Sequence, residues 1–190
     1  MRTLLKAGLL TLVSVLGLAL CVDALPLPKT LTTTVFAGAD AGSSLNLGDY
    51  SGKTLVLLVA GRKSYDSAYE QAVRLTKEWG SNAKLAAFLV ADLGGVPGFV
   101  KGAAQEALMK SHRAANSRLP AGTRIPTFLD WEGLFAKQLD IVGECNEAYQ
   151  LYVVDRRGQI ILRVTQKVND LSEEQLFRMT QASLQKAVTP

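Results

Sequence analysis

Seven consecutive residues, Thr54-Leu55-Val56-Leu57-Leu58-Val59-Ala60, constrain the fold more than any other part of the chain. No polar side chain follows Thr54. A segment this short and this uniformly apolar reads as a strand covered on both faces, the kind found at the centre of an α/β sheet. Gly61-Arg62-Lys63 breaks it. Ser64 then stands at an N-cap position, and Asp66 and Glu70 suit the positive end of a helix. From Tyr65 to about Trp79, residues Tyr65, Ala68, Tyr69, Ala72, Val73 and Leu75 form one helical stripe. Gly80-Ser81-Asn82 stops the helix, and Leu85 to Val90 is a second strand of the buried type.

The same alternation continues. Val96-Pro97 precedes a helix to about Ala115, and Arg118 to Arg124 is a loop holding Pro120 and Gly122. Ile125 to Asp130 reads as a strand, Trp131-Glu132-Gly133 as a turn, and Leu134 to Leu139 as a short helix. Gln150 to Asp155 and Gln159 to Val164 flank Arg156-Arg157-Gly158 as a hairpin. Ser172-Glu173-Glu174-Gln175 is a capping box opening a C-terminal helix, whose apolar face is Leu176, Met179, Ser183, Leu184 and Ala187. Upstream, Thr32 to Phe36 and Ser44 to Leu47 form a first hairpin around a turn at 37–42. Strands alternating with helices predict an α/β sandwich of one domain.

The first 24 residues stand apart. Arg2 and Lys6 are followed by an uncharged Leu/Val-rich run from Ala7 to Leu20, and Val22-Asp23-Ala24 ends on a small residue. This is the layout of a secretory signal peptide, 1–24, with the domain at 25–190. The apolar run is shorter than the roughly 20 residues a membrane span takes, so no transmembrane segment is expected after cleavage. An uncleaved anchor and lipidation at Cys21 are the alternatives. Leu18-Ala19-Leu20-Cys21 resembles a lipobox, but Leu20 occupies a place where a small residue belongs. Cleavage removes Cys21 and leaves Cys145 as the sole thiol, which excludes an intramolecular disulfide. The formal charge of +4 on 190 residues contains no run of five like charges and gives no indication of nucleic-acid binding. One His and two Cys are too few for a zinc site built on those ligands. Asp40, Asp130 and Asp155 are turn residues, so no metal is expected. Gly48 to Thr54 fails as a phosphate-binding loop because a strand follows it instead of a helix.

Several segments resemble one superfamily in order and spacing. Leu47 to Lys53 resembles the loop that introduces the first core strand of redoxins. Phe128 to Lys137 resembles their strand–turn–helix with an Asp-x-x-Gly turn, and Tyr152 to Ile160 resembles their last hairpin. The chain thereby resembles the thioredoxin-like superfamily, in its exported branch of TlpA-like proteins and peroxiredoxins. The resemblance is closest to the YtfJ-type periplasmic family, which shares the Ala60-Gly61-Arg62 break. It implies a thioredoxin-like three-layer sandwich, with a mixed central sheet flanked by helices and an N-terminal β-hairpin, in a secreted or periplasmic protein.

Redoxin enzymes place a Cys-x-x-Cys or a peroxidatic Cys at the start of the first long helix. There the helix dipole and unpaired N–H groups lower the thiol pKa. Ser64 and Ser67 hold those positions here. The cis-proline of the family would fall at Tyr149. The resemblance therefore implies a redoxin scaffold without dithiol chemistry and without a cofactor. Such a protein would act by binding an envelope protein, a peptide or a small anion near Arg62, Lys63, Ser64 and Tyr149. The alternatives are an oxidoreductase accessory using Cys145 and a structural envelope protein.

Each candidate has a plainer reading. A catalytic Ser64 or Ser67 would need a base, and the only histidine, His112, has no evident partner; a cap and a first-turn serine suffice. Arg62 and Lys63 beside a helix N-terminus suit a carboxylate or phosphate, or simply a solvated loop. Cys145 is either a thiol on the rim of the site or a small buried hydrophobe. His112, among Lys110, Arg113, Arg118 and Arg124, reads as part of a basic surface, or as a partner patch.

Overall fold

In the computed structural model, residues 35–38, 44–121, 123–139, 144–167 and 173–188 are described. The expected signal segment with Cys21, and Ser172 of the capping box, lie outside them. The strands are β1 (Val35–Gly38), β2 (Ser44–Asn46), β3 (Thr54–Ala60), β4 (Leu85–Asp92), β5 (Thr127–Asp130), β6 (Ala148–Val154) and β7 (Ile160–Lys167). The helices are α1 (Tyr65–Trp79), α2 (Lys101–Asn116), α3 (Leu134–Gln138) and α4 (Glu173–Val188). One seven-stranded sheet runs in the order β2-β1-β5-β4-β3-β6-β7. β3, β4 and β5 are parallel, and the remaining pairings are antiparallel.

The central heptapeptide lies between β4 and β6, and each of its seven residues is buried. Its side chains alternate between two cores. Val56, Leu58 and Ala60 face the side covered by α1 and α4, packing with Tyr69, Leu75, Leu176 and Leu184. Leu55, Leu57 and Val59 face the other side, with Leu47, Phe88, Phe135 and Cys145. Burying each Val or Leu of this strand contributes about 1.5–3 kcal/mol, so the central strand anchors both layers. This is the thioredoxin-like α/β sandwich expected from the sequence. Among the described residues, no helix is long and apolar enough to cross a membrane.

The boundaries differ in instructive places. Ala37 and Gly38, expected in a turn, continue β1 because they pair with Leu129 and Phe128 of β5. Leu47 leaves the strand for a 3-10 turn, where the Asn46 side chain accepts from the Gly48 N–H at 3.0 Å. β5 starts at Thr127, after Pro126, which has no N–H for a ladder and offers only its carbonyl, to Leu89 N–H at 3.0 Å.

The Asp130–Gly133 turn behaves as its spacing predicts, but with a buried charge. Gly133 has φ +63°, a left-handed conformation that favours glycine, and leads into α3. Both carboxylate oxygens of Asp130 accept from the start of that helix, from Leu134 N–H at 2.8 Å and Phe135 N–H at 2.7 Å. Burial pushes the Asp130 carboxyl above the usual aspartate range; the helix N–H bonds oppose this, and neighbouring Asp92 adds to it.

Asp130→Asn sets an NH2 against one of those donors and is expected to cost about 1–3 kcal/mol at neutral pH. The folded carboxyl holds its proton more tightly than the unfolded chain does. Its contribution is fully present below the ordinary aspartate range and is lost as pH rises through the raised folded value. Urea unfolding at successive pH values should therefore show wild type losing stability relative to Asp130→Asn across that window and levelling off above it.

Candidate functional site

β3 ends at Ala60, and the backbone turns at once beneath the 3-10 turn Glu144–Asn146. A Cβ on Gly61 would lie 2.6 Å from the Cys145 carbonyl oxygen and 2.9 Å from Asn146 Cα, so only glycine fits there. The Gly61 N–H donates to that carbonyl at 2.7 Å. Ser64, three residues on, is fully buried. Its side chain does not cap α1, as its position predicts, but turns back on the loop. The hydroxyl donates to the Cys145 carbonyl at 2.7 Å, and its oxygen accepts from Gly61 N–H at 3.2 Å. The loop, the helix start and the 144–146 turn thus meet at one oxygen atom.

The other sequence candidates separate into core and surface. The Cys145 thiol does not rim a site: the residue has no exposed surface and packs in the lower core with Leu47, Leu55 and Val59. Its backbone carbonyl meets Gly61 and Ser64 at the start of α1. Tyr149 is buried in the opposite core with Tyr65 and Leu151, and pairs with Gln166 of β7. Among the described residues no peptide bond is cis. Ser67 is half-buried, whereas Arg62 and Lys63 are exposed. Lys63 forms an ion pair with Glu147, across the loop from Ser64. The four expected binding residues therefore do not share a surface: Ser64 and Tyr149 are interior, and Arg62 and Lys63 are outside.

His112 requires a correction. It is 4% exposed, not part of a basic surface. Nδ1 lies 3.0 Å from Thr127 Oγ1, and Nε2 lies 3.0 Å from the Asn116 amide nitrogen. Tyr69 donates to the His112 carbonyl at 3.3 Å. Asn116 in turn accepts from Ile125 N–H at 3.0 Å. The i, i+4 spacing of His112 and Asn116 carried this signal, but the surrounding cations obscured it. Near this network, burial raises the Tyr65 phenol far above its ordinary value. No group of three or more His, Cys, Asp or Glu suited to a metal occurs among the described residues.

Chemically, the start of α1 presents the half-buried Ser67 hydroxyl and, among the described residues, no thiol. The Ser64 hydroxyl is sealed from solvent and engaged with a carbonyl.

No protein-family model and no curated protein matches the sequence. Solved structures do match the fold. Peroxiredoxin Q of Xanthomonas campestris aligns with a TM-score of 0.61 at 15% identity, over 88% of this chain and 99% of that one. A secreted Mycobacterium tuberculosis disulfide oxidoreductase, homologous to Escherichia coli DsbE, aligns with a TM-score of 0.56 at 11% identity, over 82% and 99%. An uncharacterised conserved protein of Geobacillus kaustophilus aligns with a TM-score of 0.62 at 15% identity, over 88% and 84%. At identities this low the likeness shows the thioredoxin-like fold alone.

Gly61→Ala is expected to destabilise by about 2 kcal/mol or more, because backbone must move to admit the methyl. Ser64→Ala should cost about 1 kcal/mol, since the Cys145 carbonyl keeps the Gly61 N–H. Denaturant unfolding of the two variants checks that order.

Proposed function

We propose that this chain is an exported thioredoxin-fold protein that acts by binding, and that the position used by redoxin enzymes for a sulfur nucleophile serves here as a structural tie. One observation carries the reading: the Ser64 hydroxyl, where those enzymes hold cysteine, is buried and donates to the Cys145 carbonyl at 2.7 Å. A serine hydroxyl forms no disulfide and stays protonated at neutral pH. The remaining thiol of the processed chain, Cys145, is itself buried, which removes the access that thiol exchange needs.

Export rests on the charged start, the apolar run from Ala7 to Leu20 and the small residue at Ala24. The YtfJ-type periplasmic likeness rests on the Ala60-Gly61-Arg62 break, the Asp130–Gly133 turn and the last hairpin. The binding partner on this reading is an envelope protein, a peptide or a small anion.

The purified chain from Leu25 should neither reduce insulin disulfides nor consume peroxide. Cys145 should react with a thiol reagent only after denaturation. Turnover that disappears in Cys145→Ala would replace this reading with that of a single-thiol oxidoreductase. In-cell cross-linking should recover a specific adduct; a chain that forms none and has no activity fits a structural envelope role instead.

A further inference from the structure

A second region of the molecule has the features of a ligand site. A cleft of about 430 Å³ opens between the last turn of α2 and the loop that leads to β5. That volume lies within the range of small-molecule sites. Its lining includes His112, Arg113, Asn116, Leu119, Pro120 and Arg124.

The base of the cleft is rigid and polar. Asn116 is fixed at both ends of its amide: the oxygen accepts from Ile125 N–H, and the NH2 meets His112 Nε2. The Asn116 amide nitrogen lies 3.0 Å from Nε2 and 3.3 Å from Nδ1, and Nδ1 lies 3.0 Å from Thr127 Oγ1, so the ring is braced from two sides. The imidazole is thus held in a fixed orientation. Above this base stand two exposed arginines. Arg113 sits in the last turn of α2, where a cation complements the helix dipole. Arg124 is on the loop and has no such reason to be there. Among the described residues, neither forms an ion pair or a side-chain hydrogen bond. The nearby acid of α1, Glu70, is taken by Arg118 at 2.7 Å. Glu106 on α2 lies seven residues before Arg113, roughly 10 Å along the helix axis. Leu119 and Pro120 add an apolar wall.

We propose that this cleft binds a small organic oxyanion, a phosphate or carboxylate carried on an apolar body, between the guanidinium groups of Arg113 and Arg124. Guanidinium forks match both oxyanions in bidentate geometry. Two unpaired cations sharing one cleft repel each other, and an oxyanion between them removes that repulsion. Leu119 and Pro120 receive the apolar body. The site is separate from the start of α1 and does not depend on whether Cys145 is redox-active.

His112 is the only histidine of the chain, so its imidazole NMR signals report on this cleft without ambiguity. Phenyl phosphate, benzoate and inorganic phosphate are titrated at constant ionic strength into the wild-type protein and into Arg113→Gln, Arg124→Gln and Arg62→Gln. The expected result is a saturable shift of the His112 ring, with phenyl phosphate or benzoate binding more tightly than inorganic phosphate. Each cleft variant should weaken binding at least about tenfold, the loss of one charge-assisted hydrogen bond. Arg62→Gln should leave it unchanged. Three results would overturn the proposal: no saturable shift with any probe, equal affinity in the cleft variants, or amide shifts confined to Arg62–Ser64. Tightest binding by inorganic phosphate would overturn the organic body while keeping the oxyanion.

Discussion

The carbonyl oxygen of Cys145 receives the Gly61 N–H and the Ser64 hydroxyl, and the candidate site is organised by that double contact. Gly61 permits the approach because it has no Cβ, and Ser64 completes it because its hydroxyl is short enough to turn back on the loop. Once both bonds are made, the Ser64 hydroxyl is closed to solvent, while Arg62, Lys63 and Asp66 around it stay exposed. On the proposed reading, this hydroxyl holds two segments together instead of supplying chemistry.

The elements most legible in the sequence were those governed by local pattern. β3 was readable to the residue, because an unbroken apolar heptapeptide between Thr54 and Gly61 allows little else. The α1 boundary, the Asp130–Gly133 turn and the last hairpin followed from glycine breaks, dipole and turn chemistry, although Ser64 makes no side-chain cap. Pairing between distant segments was not readable. The extension of β1 through Gly38 depends on β5, some ninety residues away, and no local preference of Ala37 or Gly38 announces it.

The candidate site divides in the same way. Ser64 was placed correctly at the start of α1, but its side-chain direction depends on the Cys145 carbonyl, which sequence alone does not bring near. Arg62 and Lys63 were identified by charge, and charge does not reveal that Lys63 meets Glu147. His112 was read from its cationic neighbours along the chain, although those side chains point outward while the ring turns inward to Thr127. Sequence proximity was misleading there because a helix sends adjacent residues in different directions.

The tie between Ser64 and Cys145 also bears on how the chain reaches its native state. The two residues are 81 positions apart, and α1, β4, α2, β5 and α3 lie in the loop they close. A bond of that span offers no enthalpy until much of the intervening chain has already lost its freedom. The β3–β6 pairing closes a loop of the same order, Val59 meeting Gln150, so the tie and the centre of the sheet demand the same loss of chain freedom.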